Sequence, residues 1–504
     1  MKYDSIVVGT GISGIVKAVC LLHEGEKVLL LDEHNRVGGS SRSTIKGRFE
    51  FGSSLHDLYL NNKSDAYTIN RILEKCGIES ELEFSNLPYL CRVLTDDVDV
   101  TLPFGVDAYI EKLESIVPGS KETMEVFFRL ALECKEALDY IYKNIDHVDY
   151  EYLKNEYNNF TRVANNSVSR VMDIIGVPLK TQEIINAMWL LFGVSETELS
   201  FVTYGVFLYN ALSNGLCVVN DGNYEVALSL VNHFLELGGE LKLNCQVDRI
   251  LVDDGKINGV RDSNGKNYYA NKVIVNSSEI HVYGKLLEAE VPREALRSVN
   301  KREVGGREFR VRLGLNRSAL ELGLDNYMYF LYDSLDSDVE YKKMNDASTT
   351  NQVVSVINNA DRNASVDGTC IVNLSTVYFG DSFTRLMGNG DIVLQEEEIA
   401  KSLIARFEEC VHVNISDFIE EIEICSPFNH SCSSGIYDGA TYGFSLKGLD
   451  DCLPRMLNKG NEKYILGLEV VSGFDGDAFH YVSSYAIGLI GSKGIKEVEA
   501  DYNG

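Results

Sequence analysis

Ser5-Ile6-Val7-Val8 is a short apolar run, and Lys27-Val28-Leu29-Leu30-Leu31 is a second one. Between them, Ile15 to Leu22 keeps apolar residues at helical spacing. Short apolar runs bounded by turn residues predict buried strands, and the longer periodic segment predicts a helix. The chain therefore opens as strand, turn, helix, strand. From Ala66 to Leu212 the pattern is mostly helical, with helices predicted over Val106–Leu113, Met124–Tyr142 and Leu179–Phe192. A helix from Glu225 to Leu237 stops at Gly238-Gly239, a pair suited to helix termination. Short strands follow at Glu240–Asn244, Lys256–Val260 and Lys272–Asn276. Beyond them, Phe309-Arg310-Val311-Arg312-Leu313 alternates apolar with basic residues, which predicts a strand buried on one face only. Strands are also expected at Tyr327–Tyr332 and Thr369–Ser375, and an amphipathic helix at Leu394–Val413. The acidic stretch Glu420-Glu421-Ile422-Glu423 reads as a solvated strand, and a last helix is expected from Ala478 to Leu489.

The break between the first strand and helix is Gly9-Thr10-Gly11-Ile12-Ser13-Gly14, and the second strand ends on Asp32. Three glycines in this spacing, with an acid about 20 residues on, form a dinucleotide-binding fingerprint. Gly9 permits the tight turn, Gly11 lets the backbone approach a diphosphate at the helix N-terminus, and Gly14 lets helix and strand approach closely. Asp32 can accept both hydroxyls of a ribose, and would repel a 2′-phosphate. A second glycine loop, Arg36-Val37-Gly38-Gly39-Ser40-Ser41, follows directly.

Composition narrows the class. With 504 residues, 45% of them hydrophobic, the chain can build more than one core. A net charge of −28 argues against nucleic-acid binding and against electrostatic docking on anionic lipid. The 11 cysteines are scattered without a C-x-x-C pair. They suggest neither a disulfide framework nor a zinc site, and fit a reducing cytoplasmic setting. A strand starting by residue 5 leaves no room for a signal peptide, and no apolar run is long enough to span a bilayer.

The R-x-G-G extension after the acid resembles the flavoprotein superfamily of amine oxidases and phytoene desaturases. Further landmarks are Asp221-Gly222-Asn223, Val273 to Asn276, Ser426-Pro427, Gly439 to Gly443 and Gly467 to Glu469. Taken in order, they resemble the phytoene desaturase branch, with its carotenoid isomerases and retinol saturases. The resemblance implies an α/β two-domain flavoprotein, in which a Rossmann-like FAD-binding domain carries an inserted mixed-sheet and helical substrate domain. The implied division is 1–65, 215–285 and 445–504 for FAD, and 66–214 and 286–444 for substrate. It also implies redox chemistry on C–C bonds of an apolar molecule. A flavin amine or amino-acid oxidase, a natural-product or peptide-modifying dehydrogenase, and a non-catalytic prenyl-binding protein of the same fold remain alternatives. The last motif departs from the family pattern: Gly467-Leu468-Glu469 stands where a glycine–aspartate pair is usual.

The expected FAD contacts are Gly9, Gly11, Ser13, Gly14, Asp32, Glu33, Arg36, Gly38, Gly39, Ser40, Ser41, Val247, Gly467 and Glu469. In the family, the residue matching Val247 meets the adenine through its backbone. His480 and His56 are the candidate acid–base residues, and Tyr437, Tyr442 and Trp189 the candidate substrate contacts. The expected partner is a small, apolar molecule. No metal is expected, and peripheral membrane contact and oligomeric state stay open.

Overall fold

The computed structural model describes residues 2–52, 58–60, 69–144, 147–288, 290–388, 390–434, 437–447 and 464–471. Its first sheet is built from the opening motif. β1 (Lys2–Val8) leads through the glycine turn into α1 (Ile12–His23) and back along β2 (Val28–Leu31). β1 pairs in parallel with β2 on one side and with the strand Asn267–Val275 on the other, Ile6 lying opposite both Leu29 and Val273. β2 is buried throughout, as expected of a parallel sheet covered on both faces. Glu240–Lys242 extends the sheet beyond β2, and Leu468–Val470 pairs in parallel with the far half of Asn267–Val275. The hairpin Val247–Asp253 and Lys256–Asp262 completes it.

A helical layer follows, in which Lys121–Lys143 packs along Phe201–Asn214. The helix expected over residues 179–192 divides: Leu179–Ile185 is α-helical, and Asn186–Leu191 winds more tightly as a 3₁₀-helix. The segment is buried on nearly all sides, so packing overrides the simple 3.6-residue pattern.

The second sheet has seven strands, in the order Ile419–Cys425, Arg307–Leu315, Cys370–Tyr378, Gln352–Val356, Met328–Leu331, Cys91–Leu94 and Asp99–Leu102. Arg307–Leu315 corrects the sequence reading, because all nine of its residues are buried. Phe309, Val311 and Leu313 face a core shared with Leu403 and Phe407 of the helix Ile392–Val411. Arg310 and Arg312 face the other way, where solvent was expected. That face is capped by the hairpin β3 (Thr44–Lys46) and β4 (Phe49–Phe51), which springs from the second glycine loop. Gly314 lacks a Cβ where one would stand 2.5 Å from the Phe49 ring. Thr44 Oγ1 donates to Glu423 Oε1 at 2.8 Å, and Arg312 Nη1 donates to Glu423 Oε2 at 2.6 Å. The acidic strand is therefore partly engaged in ion pairs.

Among the described residues, no helix is long and apolar enough to cross a membrane. The last helix expected from the sequence lies outside them.

Candidate functional site

The parallel strands deliver their C-terminal ends to one edge, and the glycine turn occupies it. Gly9 has φ +99°, and its amide donates to Leu31 O at 2.7 Å. Gly11 starts α1 from an extended conformation without a side-chain cap. The first N–H groups of the helix are thus left to serve an anion, aided by the helix dipole. A Cβ on Gly14 would collide with the carbonyl of Gly9, and one on Gly11 with Oδ1 of Asn276. Asn276 ends its strand by donating N–H to Val8 O and Nδ2 to Val471 O, each at 2.7 Å. It ties three strand ends around the turn.

The second loop lies against the first. Gly38 N donates to Thr10 O at 2.9 Å, and Gly38 and Gly39 have φ of +103° and +55°. A Cβ on Gly39 would stand 2.9 Å from Gly11 Cα. The two loops touch backbone to backbone. The Arg36 guanidinium lies 4.7 Å from the centre of the Tyr224 ring, and its Nη1 donates to Ser43 O at 3.2 Å. Ser40 and Arg36 are exposed, Ser41 is half-buried, and Ser13 is buried on α1.

Asp32 reaches back to the turn. Its Oδ2 accepts the amide of Thr10 at 2.7 Å and the hydroxyl at 2.5 Å. Its Oδ1 accepts the amide of His34 at 2.9 Å, and the ring Nδ1 of His34 lies at the same distance. A ribose bound here would be held by an acid already engaged by Thr10 and His34. Beyond it, Cys245 N donates to Asp32 O at 2.8 Å, which draws the next segment alongside. Gln246 Nε2 donates to Glu33 Oε2 at 3.0 Å, and the neighbouring Val247 is buried. Near this end His281 Nδ1 is 3.0 Å from Ser277 Oγ. Burial, with Lys285, lowers the pKa of His281 against the opposing charge of Glu33.

Bare helix N–H groups, two glycine loops without Cβ atoms and an acid at the end of β2 fit a dinucleotide. The residues present therefore suit FAD. The expected contacts from Gly9 to Ser41, with Val247, fall along this one edge.

Two others are placed differently. Gly467 (φ +89°) precedes the last strand of the sheet, and a Cβ there would collide with the Asn271 carbonyl. It stands at the strand end remote from the glycine edge, where close backbone approach explains the glycine. Glu469 sits mid-strand, with Oε1 2.8 Å from Nζ of the buried Lys17.

Of the substrate candidates, Trp189 is buried, with its ring 6.3 Å from those of Tyr332 and Tyr341. Tyr341 lies 4.4 Å from Phe379. Tyr442 borders the same cluster: a Cβ on Gly306 would lie 3.0 Å from Phe379 and 3.2 Å from Tyr442. Tyr332 donates its hydroxyl to Ala187 O at 2.6 Å, and Tyr204 donates to Ile185 O. Both polar tips are satisfied, which leaves apolar ring faces. Tyr437 is half exposed and is not part of the cluster. His480 and His56 lie outside the described residues. Sequence reasoning missed Asn276 as a tie across the turn, although it was read as the end of its strand. It also missed the buried row on Arg307–Leu315, because alternation does not reveal what covers a face.

A fold with these paired glycine loops defines a dinucleotide-dependent flavoprotein. The family model for flavin-containing amine oxidoreductases matches residues 12–426, and the chain belongs to that family. It is an FAD-dependent oxidoreductase. All-trans-retinol 13,14-reductase of Danio rerio is 24% identical over 66% of this chain and 58% of its own length. Prolycopene isomerase 2 of an Oncidium hybrid cultivar is 24% identical over 91% of this chain and 77% of its own. Among solved structures, putrescine oxidase shares the fold with a TM-score of 0.65 at 15% identity, covering 99% of both chains.

Proposed function

We propose that the protein uses FAD to change the unsaturation of an apolar carbon chain, by desaturating, saturating or isomerising C–C bonds of a polyene or isoprenoid. The observation that carries the reading is the buried aromatic cluster of Trp189, Tyr332, Tyr341, Phe379 and Tyr442. Relatives named for retinol reduction and prolycopene isomerisation support it. FAD, when bound, supplies hydride or electron-pair transfer at its ring. The chain's own residues have simpler tasks. The uncapped N-terminus of α1 and the Gly38-Gly39 loop hold the diphosphate, and Asp32 accepts from the ribose. Glu33 and Val247 flank the adenine end. The aromatic faces orient the substrate and exclude water from the reacting carbon.

The division into 1–65, 215–285 and 445–504 for FAD, and 66–214 and 286–444 for substrate, belongs to this proposal. It is supported by a first sheet drawn from segments between 2 and 31, 240 and 275, and 468 and 470. His480 and His56 remain proposed as acid–base residues. A cytoplasmic setting also belongs to this proposal, supported by scattered cysteines without a C-x-x-C pair. Anaerobic mixing of the flavoprotein with candidate polyenes tests the reading. Bleaching of the oxidised flavin band, or a rearranged polyene product, is expected. Bleaching by amines and by no polyene would instead establish an amine oxidase.

A further inference from the structure

Three acid–base pairs lie along Arg307–Leu315, Arg307 by alternation on the side of Phe309 and the other two on the opposite face. Arg307 pairs with Asp438, Arg310 Nε lies 3.5 Å from Glu308 Oε2, and Arg312 pairs with Glu423. Each cation is matched by an acid. His430 adds no charge: its Nδ1 is 3.5 Å from Arg310 Nη2, and burial, with Arg310 and Arg312, lowers its pKa to about 3. The row is therefore close to neutral, which suits a neutral ligand better than an ion.

Two oxygens in this row have no hydrogen-bond partner, Glu308 Oε1 and Asn373 Oδ1. Both residues are 4% exposed. Both oxygens are acceptors, and an unsatisfied buried acceptor of this kind calls for a donor. Strand alternation puts them on one face, since Glu308 lies opposite Val377 and Arg312 opposite Asn373. On that face Val377 leads to Phe379. Gly306 carries no Cβ because Val377, Phe379 and Tyr442 close on its backbone, where a Cβ would stand 2.6, 3.0 and 3.2 Å from them. The amide of Glu308 donates to Thr441 Oγ1 at 3.4 Å, beside Tyr442. Glu308 thus stands where the aromatic cluster ends and the polar row begins.

We infer that Glu308 is a substrate-binding residue that accepts a hydrogen bond from a neutral hydroxyl at the polar end of an otherwise apolar substrate. The inference rests on the C–C bond reading, and narrows the substrate from a hydrocarbon to an alcohol. Arg310 is a positioning residue: its Nε, which makes no hydrogen bond, stands 3.5 Å from Oε2 as a charge contact and leaves Oε1 for the ligand.

The test titrates the FAD-loaded enzyme with all-trans-retinol and with its methyl ether, following the perturbation of the flavin spectrum. The ether keeps the polyene and loses the donor. The alcohol should bind at least tenfold tighter. In Glu308→Gln, whose amide can donate to an ether oxygen, the preference should shrink to within about threefold, with flavin content confirming that the variant folds. Equal binding of the two probes, binding of neither, or a preference unchanged in Glu308→Gln would overturn the inference. Turnover distinguishes this from failure of the broader reading. Equal conversion of alcohol and ether would leave C–C chemistry standing and remove the hydroxyl site. Selective alcohol binding without conversion of any polyene would do the reverse.

Discussion

Lys17 and Glu469 form an ion pair of 2.8 Å between α1 and the last strand of the nucleotide sheet, with the lysine side chain 2% exposed and the glutamate 34%. It joins the opening motif to a segment about 450 residues later in the chain. A buried ammonium is tolerated only when paired. Glu469→Gln should therefore destabilise the protein by about 2–3 kcal/mol, since it takes a carboxylate away from a buried cation. Lys17→Met should cost less, because Glu469 retains solvent, and the double variant should recover part of the loss. Thermal unfolding of the three variants checks this order.

Gly39→Ala should damage cofactor binding more than folding. The new Cβ meets Gly11 Cα at 2.9 Å, in a conformation with φ +55°. Strain of about 1–2 kcal/mol would push the two loops apart where the diphosphate is held. Flavin retained after gel filtration should fall sharply, while the far-ultraviolet circular dichroism stays near that of the parent.

Asp32→Ala removes the acceptor of both Thr10 donors and the proposed ribose contact. Hydrogen bonds to a charged acceptor contribute about 1.5–3 kcal/mol. FAD affinity should therefore fall by about one to two orders of magnitude. Calorimetric titration of the apoprotein measures it, and an unchanged dissociation constant would remove Asp32 from the site.

Glu196 gives the fold a pH dependence. Burial, the largest cause, together with Asp338, Asp336 and Glu183, lifts its pKa from 4.5 to about 7, against the opposing hydrogen bond from Asn186. Its amide donates to Ser337 Oγ at 3.0 Å, so it sits where the helical layer meets the second sheet. A carboxyl raised on folding binds its proton more tightly in the folded state. Stability should therefore fall as pH rises from about 4.5 to about 7, by about 3 kcal/mol at most. Glu196→Gln should flatten that part of the stability–pH curve in denaturant titrations.

The nucleotide edge was legible because its determinants are local. Gly9, Gly11, Gly14 and Asp32 lie within one strand–helix–strand unit, and each residue type answers a backbone or hydrogen-bonding need there. The strand Arg307–Leu315 was found in the sequence, but its exposure was misread. Arg310 and Arg312 are covered by a hairpin from residues 44–51, and no local pattern announces that. Gly467 was assigned to the cofactor by motif order, whereas its position is set by close approach to Asn271. Trp189 and Tyr442 meet one cluster through elements far apart in sequence, and Tyr437, close to Tyr442 along the chain, does not. The tight 3₁₀ turn at Asn186–Leu191 likewise answers to packing rather than to helical periodicity.

The most direct measurement is a titration of the apoprotein with FAD, followed by quenching of flavin fluorescence, for the parent chain and for Gly39→Ala. The expected result is saturable binding of one FAD per chain, greatly weakened in the variant. A parent protein that stays colourless and shows no saturable binding would contradict the cofactor cradle on which the proposed chemistry rests.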